Sequence, residues 1–236
     1  MTQALIFGFL LGLKHALEAD HVAAVASLAS KTKSFKEGLT FGITWGLGHT
    51  ITLFLFGSAV LILDTMISEQ LAVTLEFFVG CMLVFMGGTV IREIVKKNVH
   101  LHTHSHPNGI THLHFHSHEG DQSGHQSSLH KHTHKFSFKA LLVGMVHGMA
   151  GSSALILLTL DSVASIKARL FYLLLFGFGS ICGMALLSIV IILPLRYTES
   201  SRTYQRLKVF IGLTTLFLGM LIMYETSNDL HHLSIK

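Results

Sequence analysis

Residues 4–29 read ALIFGFLLGLKHALEADHVAAVASLA. The stretch is long enough to cross a bilayer, which takes about 20 mostly apolar residues in a helix. Yet Lys14, His15, Glu18, Asp20 and His21 stand in its middle. Ionisable side chains at the centre of a membrane helix are costly and mark functional sites. A cleaved leader has no use for them, and the chain lacks a basic start, so the stretch is read as a first span and not as a signal peptide.

Five further apolar stretches follow, at 38–63, 71–95, 138–160, 170–193 and 207–224. Their lengths favour helices over strands, and in lipid a helix satisfies its own backbone. The expected fold is therefore an all-α integral membrane protein with six transmembrane helices. Composition agrees. Of 236 residues, 50% are hydrophobic and only 13% are charged, against about 25% charged in soluble chains. This excludes a disordered chain, a disulfide scaffold and an ordinary cytosolic enzyme. Cys81 and Cys182 lie apart in apolar runs and are read as packing residues. No Gly-x-x-x-x-Gly-Lys-Ser/Thr phosphate loop occurs, and neither enzymatic activity nor an organic cofactor is expected.

Histidine is over-represented, with 18 residues against 17 for Lys and Arg together. Twelve of them lie between His100 and His134, in HLHTHSHPNGITHLHFHSHEGDQSGHQSSLHKHTH. Such a segment cannot bury a core and is expected to be a mobile loop. Its alternating imidazoles bind metal in many arrangements and so select poorly; capture, buffering or sensing is the functional reading.

The basic residues orient the chain. Thirteen Lys and Arg fall in the loops after spans one, three and five, and only Lys167, Arg169 and Lys236 on the other side. By the positive-inside rule both termini lie outside and the histidine loop is cytoplasmic, in the plasma (inner) membrane. The net charge of +4 thus reflects topology, and no nucleic-acid partner is expected.

The two halves match when the chain is shifted by 132 residues. Gly12-Leu13-Lys14-His15 meets Gly144-Met145-Val146-His147, and LEFFVG from Leu75 meets LKVFIG from Leu207. A shift of 131 pairs Gly46 and Gly48 with Gly177 and Gly179. A three-span unit repeated once must insert upside down, giving a 3+3 inverted repeat. The expected organisation is a first three-helix repeat at 1–95, a flexible loop at 96–137 and a second repeat at 138–236. Such folds place substrate near the midplane where the repeats meet, and here the first elements carry His15 and His147. The repeat is asymmetric: Ser152 and Ser153 stand where Asp20 and His21 stand in the first half.

Imidazole with carboxylate suits a borderline divalent metal. At roughly 100° per residue, His15, Glu18 and His21 fall within about 120° of one another, while Asp20 lies about 140° from His15. A straight helix does not aim His15, Asp20 and His21 at one ion. Either the helix is broken there, or Asp20 orients an imidazole from behind. His49, in Trp45-Gly-Leu-Gly-His49-Thr50, and His147 are further candidate ligands.

The pattern His15, four residues, Asp20-His21 within GLKHALEADH resembles the motif of the nickel/cobalt transporter superfamily. Gly48-His49-Thr50 is similar to that family's second-helix motif. The six-span size and the segment His147-Gly-Met-Ala-Gly-Ser-Ser look most like its shorter, urease-accessory branch. The resemblance implies a transporter of Ni²⁺ or Co²⁺ with His15, Asp20 and His21 essential, and a branch associated with nickel supply. The motif points to uptake, whereas a histidine-rich loop is more a feature of the efflux branch. The expected partners are a divalent metal ion, the lipid bilayer and a cytoplasmic metal chaperone. The rivals are an exporter of Ni, Co or Zn, a membrane haem protein using pairs among His15, His49 and His147 as axial ligands, and a metal-storing accessory protein.

Overall fold

The first apolar stretch is not one helix. In the computed structural model, which describes residues 2–30, 32, 34–63, 68–98, 102–105, 111–114, 138–150, 165–198 and 201–235, α1 spans Thr2–His15 and α2 spans Ala19–Ala29. Between them α1 tightens: Leu17 and Glu18 donate their N–H groups to the carbonyls of Lys14 and His15, three residues back. Glu18 then takes an extended conformation, with φ −64° and ψ 148°. The helix restarts when the Val22 N–H donates to the Glu18 carbonyl. No Gly or Pro lies in the break. What stands there are Asp20, whose carboxylate accepts from the His21 N–H at 2.8 Å, and the flanking ionisable groups. Short acidic side chains compete for backbone donors in this way and suit helix ends better than interiors.

Four long helices follow: α3 (Phe35–Leu63), α4 (Glu69–Asn98), α6 (Ile166–Tyr197) and α7 (Ser201–Ile235). Each is long and apolar enough to cross a membrane. The shorter α5 spans Phe138–Ala150 and covers the start of the stretch expected at 138–160; the remainder, with Ser152 and Ser153, lies outside the described residues. At 1.5 Å per residue the long helices reach about 44–52 Å, more than a hydrocarbon core of about 30 Å. They overrun the apolar windows because hydropathy marks only the portion in lipid. Their outward faces carry Leu55, Phe85, Phe210 and Phe217, each more than 60% exposed. A surface so apolar suits hydrocarbon.

The described part of the histidine-rich segment is a two-stranded antiparallel ribbon, β1 (His102–Ser105) with β2 (Thr111–His114), which pairs His102 with His114 and His104 with His112. The other eight histidines of the segment lie outside the described residues.

The helices pack in matched pairs. Helix α4 lies against α7, and α3 against α6; α1 packs on α6, as α5 packs on α3. Glycines set the approach. A Cβ on Gly12 would collide with the Phe176 carbonyl, and one on Gly144 with the Trp45 carbonyl. Likewise Gly48 meets the Leu141 carbonyl and Gly179 the Phe9 carbonyl. Small residues permit such close helix approach in membranes. Gly144→Ala is therefore expected to destabilise the protein by on the order of 1–3 kcal/mol through overpacking. Gly88, which has nothing within 4 Å of an added Cβ, should accept alanine without loss. Thermal unfolding of the two variants in detergent checks this contrast.

The ends of the helices also gather. The Tyr204 hydroxyl donates to the Ser30 carbonyl at 3.3 Å, Arg196 lies over the Phe35 ring, and Lys208 pairs with Glu93 at 3.9 Å. The segments after α2, after α6 and at the end of α4 therefore share one end of the bundle. Helix α2 is fastened to α7, since the Ser27 hydroxyl donates to Thr215 Oγ1 at 3.0 Å and the Thr215 hydroxyl reaches the Ala23 carbonyl at 3.3 Å.

Candidate metal centre

The break between α1 and α2 assembles what a straight helix would scatter. His15 closes α1, while Asp20 and His21 open α2. Helix α3 brings His49 and α5 brings His147. His15, His21, His49 and His147 are each no more than 2% exposed. His21 is central: its ring centroid lies 4.3 Å from that of His15, 5.2 Å from His49 and 4.1 Å from His147.

Asp20 ties two of these rings together. The His21 Nδ1–H donates to Oδ1 at 2.9 Å, and the His147 Nε2–H donates to Oδ2 at 3.0 Å. Those same two nitrogens stand 3.2 Å apart. With both protons directed at the carboxylate they cannot hydrogen-bond each other. Three side chains thus converge where one cation could take a ligand atom from each. Elsewhere in the cluster, both ring nitrogens of His49, Nε2 of His15, Nε2 of His21 and Nδ1 of His147 are buried without a hydrogen bond among the described residues. Buried polar atoms are nearly always satisfied, so this density of orphaned ring nitrogens fits a metal better than a packed core.

Two sets of side chains offer ligand atoms that all lie within 4.8 Å of one another: His15, His21 and His49, and Asp20, His21 and His147. Glu18 falls in neither. Its Oε1 lies 2.9 Å from His15 Nδ1, an ion-pair separation without hydrogen-bond geometry, and its side chain is 48% exposed. All six residues singled out in the sequence therefore meet at one place, five of them within the two ligand sets.

Two wall residues carried little signal in the sequence. Trp45, fully buried, stands with its ring 5.5 Å from His21 and 5.4 Å from His147. Phe176 stands 5.3 Å from His15. The shift of 131 that pairs the second helices also pairs Trp45 with Phe176. The repeat could have pointed to them, though nothing in their own chemistry does. The same shift pairs His49 with Ser180, whose buried hydroxyl is spent on the Gly12 carbonyl at 3.3 Å.

A helical membrane protein with a buried imidazole–carboxylate cluster at a broken helix belongs to the class that handles metal ions within the bilayer. Comparison with known families makes the assignment specific: residues 1–222 match the NicO family, described as high-affinity nickel-transport protein. The chain belongs to this family and is an integral membrane protein. It is 35% identical over 235 residues to the urease accessory protein UreH of Bacillus sp. (strain TB-90), covering 95% of this chain and 92% of that one. It is also 30% identical over 183 residues to the chloroplast protein FOR GROWTH AND FERTILITY 1 of Arabidopsis thaliana, covering 75% of this chain and 46% of that protein. No solved structure matches significantly.

Proposed function

We propose that the protein carries Ni²⁺ or Co²⁺ inward across a cell membrane, with His15, Asp20, His21, His49 and His147 as ligands and Glu18 as an outlying carboxylate at His15. The observation that supports this best is the convergence of Asp20, His21 and His147 within 3.2 Å, inside apolar helices. Membership of a nickel-transport family agrees. Imidazole with one carboxylate suits a borderline dication better than Mg²⁺ or Ca²⁺, which prefer all-oxygen sites.

The architecture in this reading is six spans in two inverted repeats, 1–95 and 138–236, rocking around the site to give alternating access. The paired glycine contacts, Gly12 to Phe176 beside Gly144 to Trp45, support the repeat. The ends of α2, α4 and α6 gather at one end of the bundle, which supports a cytoplasmic position for that end and for the loop at 96–137, with both termini outside. A cytoplasmic metal chaperone is the proposed recipient.

Two charges moving inward gain about 4.6 kcal/mol per 100 mV, worth roughly three decades of accumulation. Potential alone can thus drive uptake. Cells expressing the protein are expected to accumulate radioactive nickel, and an ionophore that collapses the potential should remove most of the gain. Depletion of nickel on expression would replace uptake by export, a direction the histidine-rich segment favours. No effect on nickel or cobalt in either direction would sink the transport reading. Deleting residues 100–134 should preserve transport and shift the nickel concentration for half-maximal uptake; complete loss would make the segment part of the pathway.

A further inference from the structure

The two ligand sets share one residue, His21, and they share it through a ring with two nitrogens. Nδ1 of His21 faces Asp20 Oδ1 at 2.9 Å and His147 Nε2 at 3.2 Å. Nε2 of the same ring is buried and makes no hydrogen bond among the described residues. The second set, with His15 and His49, lies around the same ring, at centroid separations of 4.3 and 5.2 Å. His15 and His49 make no hydrogen bond through Nε2, nor His49 through Nδ1, among the described residues.

The two sets differ in chemistry. Asp20, His21 and His147 combine one carboxylate with two imidazoles. His15, His21 and His49 are three imidazoles without a carboxylate. They also differ in the elements that hold them: α2 and α5 for the first, and the end of α1, α2 and α3 for the second. The break at residues 16–18 separates His15 from Asp20 and His21, so α1 can move its ligand without moving the other set.

We propose that the centre is two adjacent metal positions sharing His21, between which a single dication passes during transport. Two dications on either side of one imidazole would repel strongly in a medium of low dielectric, so the positions fill in turn. The ion rests on Asp20, His21 and His147 in one state and on His15, His21 and His49 in the other, with His21 exchanging one ring nitrogen for the other. The proposal rests on the transport reading and divides its site into two steps.

Co²⁺ tests this, because its visible spectrum reports the ligand set. The probe is added to the purified full-length protein, and the His21→Ala spectrum is subtracted to remove binding by the histidine-rich segment. His49→Ala and His147→Ala should each keep His21-dependent Co²⁺ binding, with different spectra from each other, and each should lose nickel transport in cells. The double variant should lose the signal. His49→Gln and His147→Gln replace any alanine variant that elutes as aggregate. Identical spectra from the two single variants, or loss of binding in both, would overturn the two positions and leave one composite site. A wild-type protein that transports nickel while the single variants fail in this way therefore overturns the proposal alone. A wild-type protein without His21-dependent Co²⁺ binding overturns the transport reading as well.

Discussion

His21→Ala is expected to lower nickel transport about 100-fold or more, since even the outer partners of metal ligands cost 10–100-fold when removed. The reason is position. His21 is fully buried and touches every other imidazole of the cluster, with ring centroids between 4.1 and 5.2 Å. It belongs to both ligand sets, so its loss cannot be covered by the neighbouring set. It also leaves the half-buried Asp20 carboxylate with one imidazole in place of two. Initial rates of radioactive nickel uptake, normalised to the amount of protein in the membrane, measure the effect. His231→Ala, at the exposed end of α7, serves as the control and should leave the rate unchanged. Retention of most transport by His21→Ala at normal membrane levels would remove the centre from the pathway.

The contrast between these two histidines shows what the sequence could and could not convey. Both sit in a chain with 18 histidines, and residue type alone does not separate them. His21 was legible because it stands beside Asp20, Glu18 and His15 inside an apolar stretch, where each charge is costly. The membrane helices were legible for the same thermodynamic reason, though only over their apolar portions. Helix α7 runs to Ile235, well past its apolar window, because its last turns need only backbone hydrogen bonds and solvent.

The helix break was half legible. Angular bookkeeping showed that a straight helix could not aim His15, Asp20 and His21 together, but it left open whether the helix breaks or Asp20 stands behind an imidazole. Both turn out to matter. The chain is extended at Glu18, and Asp20 also orients His21 and His147. The convergence of His147 on Asp20 depends on how α5 seats against α3 through Gly144 and Trp45, a tertiary fact with no local signature. Trp45 and Phe176 were missed as walls because an aromatic in an apolar helix is the ordinary case.

The asymmetry between the halves then acquires a physical sense. His15 and His147 align at the shift of 132, and each packs against an aromatic, Phe176 and Trp45 respectively, which align at the shift of 131. The aligned aromatics match while the ligands do not, because His49 faces the cluster whereas Ser180, aligned with it, is turned to a backbone carbonyl. A centre built this way holds more donor atoms on the side of the first half. That bias is what allows two unlike ligand sets to form around one ring.

Asp20→Asn is expected to reduce transport by about two orders of magnitude while the protein stays in the membrane. Asparagine keeps the shape and one oxygen acceptor, so the His21 N–H bond that opens α2 can persist. It removes the one charge within the ligand sets, from a carboxylate that faces two imidazoles at 2.9 and 3.0 Å, and even an outer partner at a metal site costs about 10–100-fold when removed. Glu18→Gln removes a formally identical charge, also 2.9 Å from a histidine nitrogen, but from a side chain that is 48% exposed. Solvent screens such a pair, whose worth is about 0–1 kcal/mol, so transport should fall by no more than roughly fivefold. Asp20→Glu, with the charge kept on a longer arm, should fall between the two. Nickel uptake rates of the three variants at equal membrane levels check the order. If Glu18→Gln proved the more damaging, the ion would be held at the α1 end of the break, and Asp20 would serve only to orient His21 and His147.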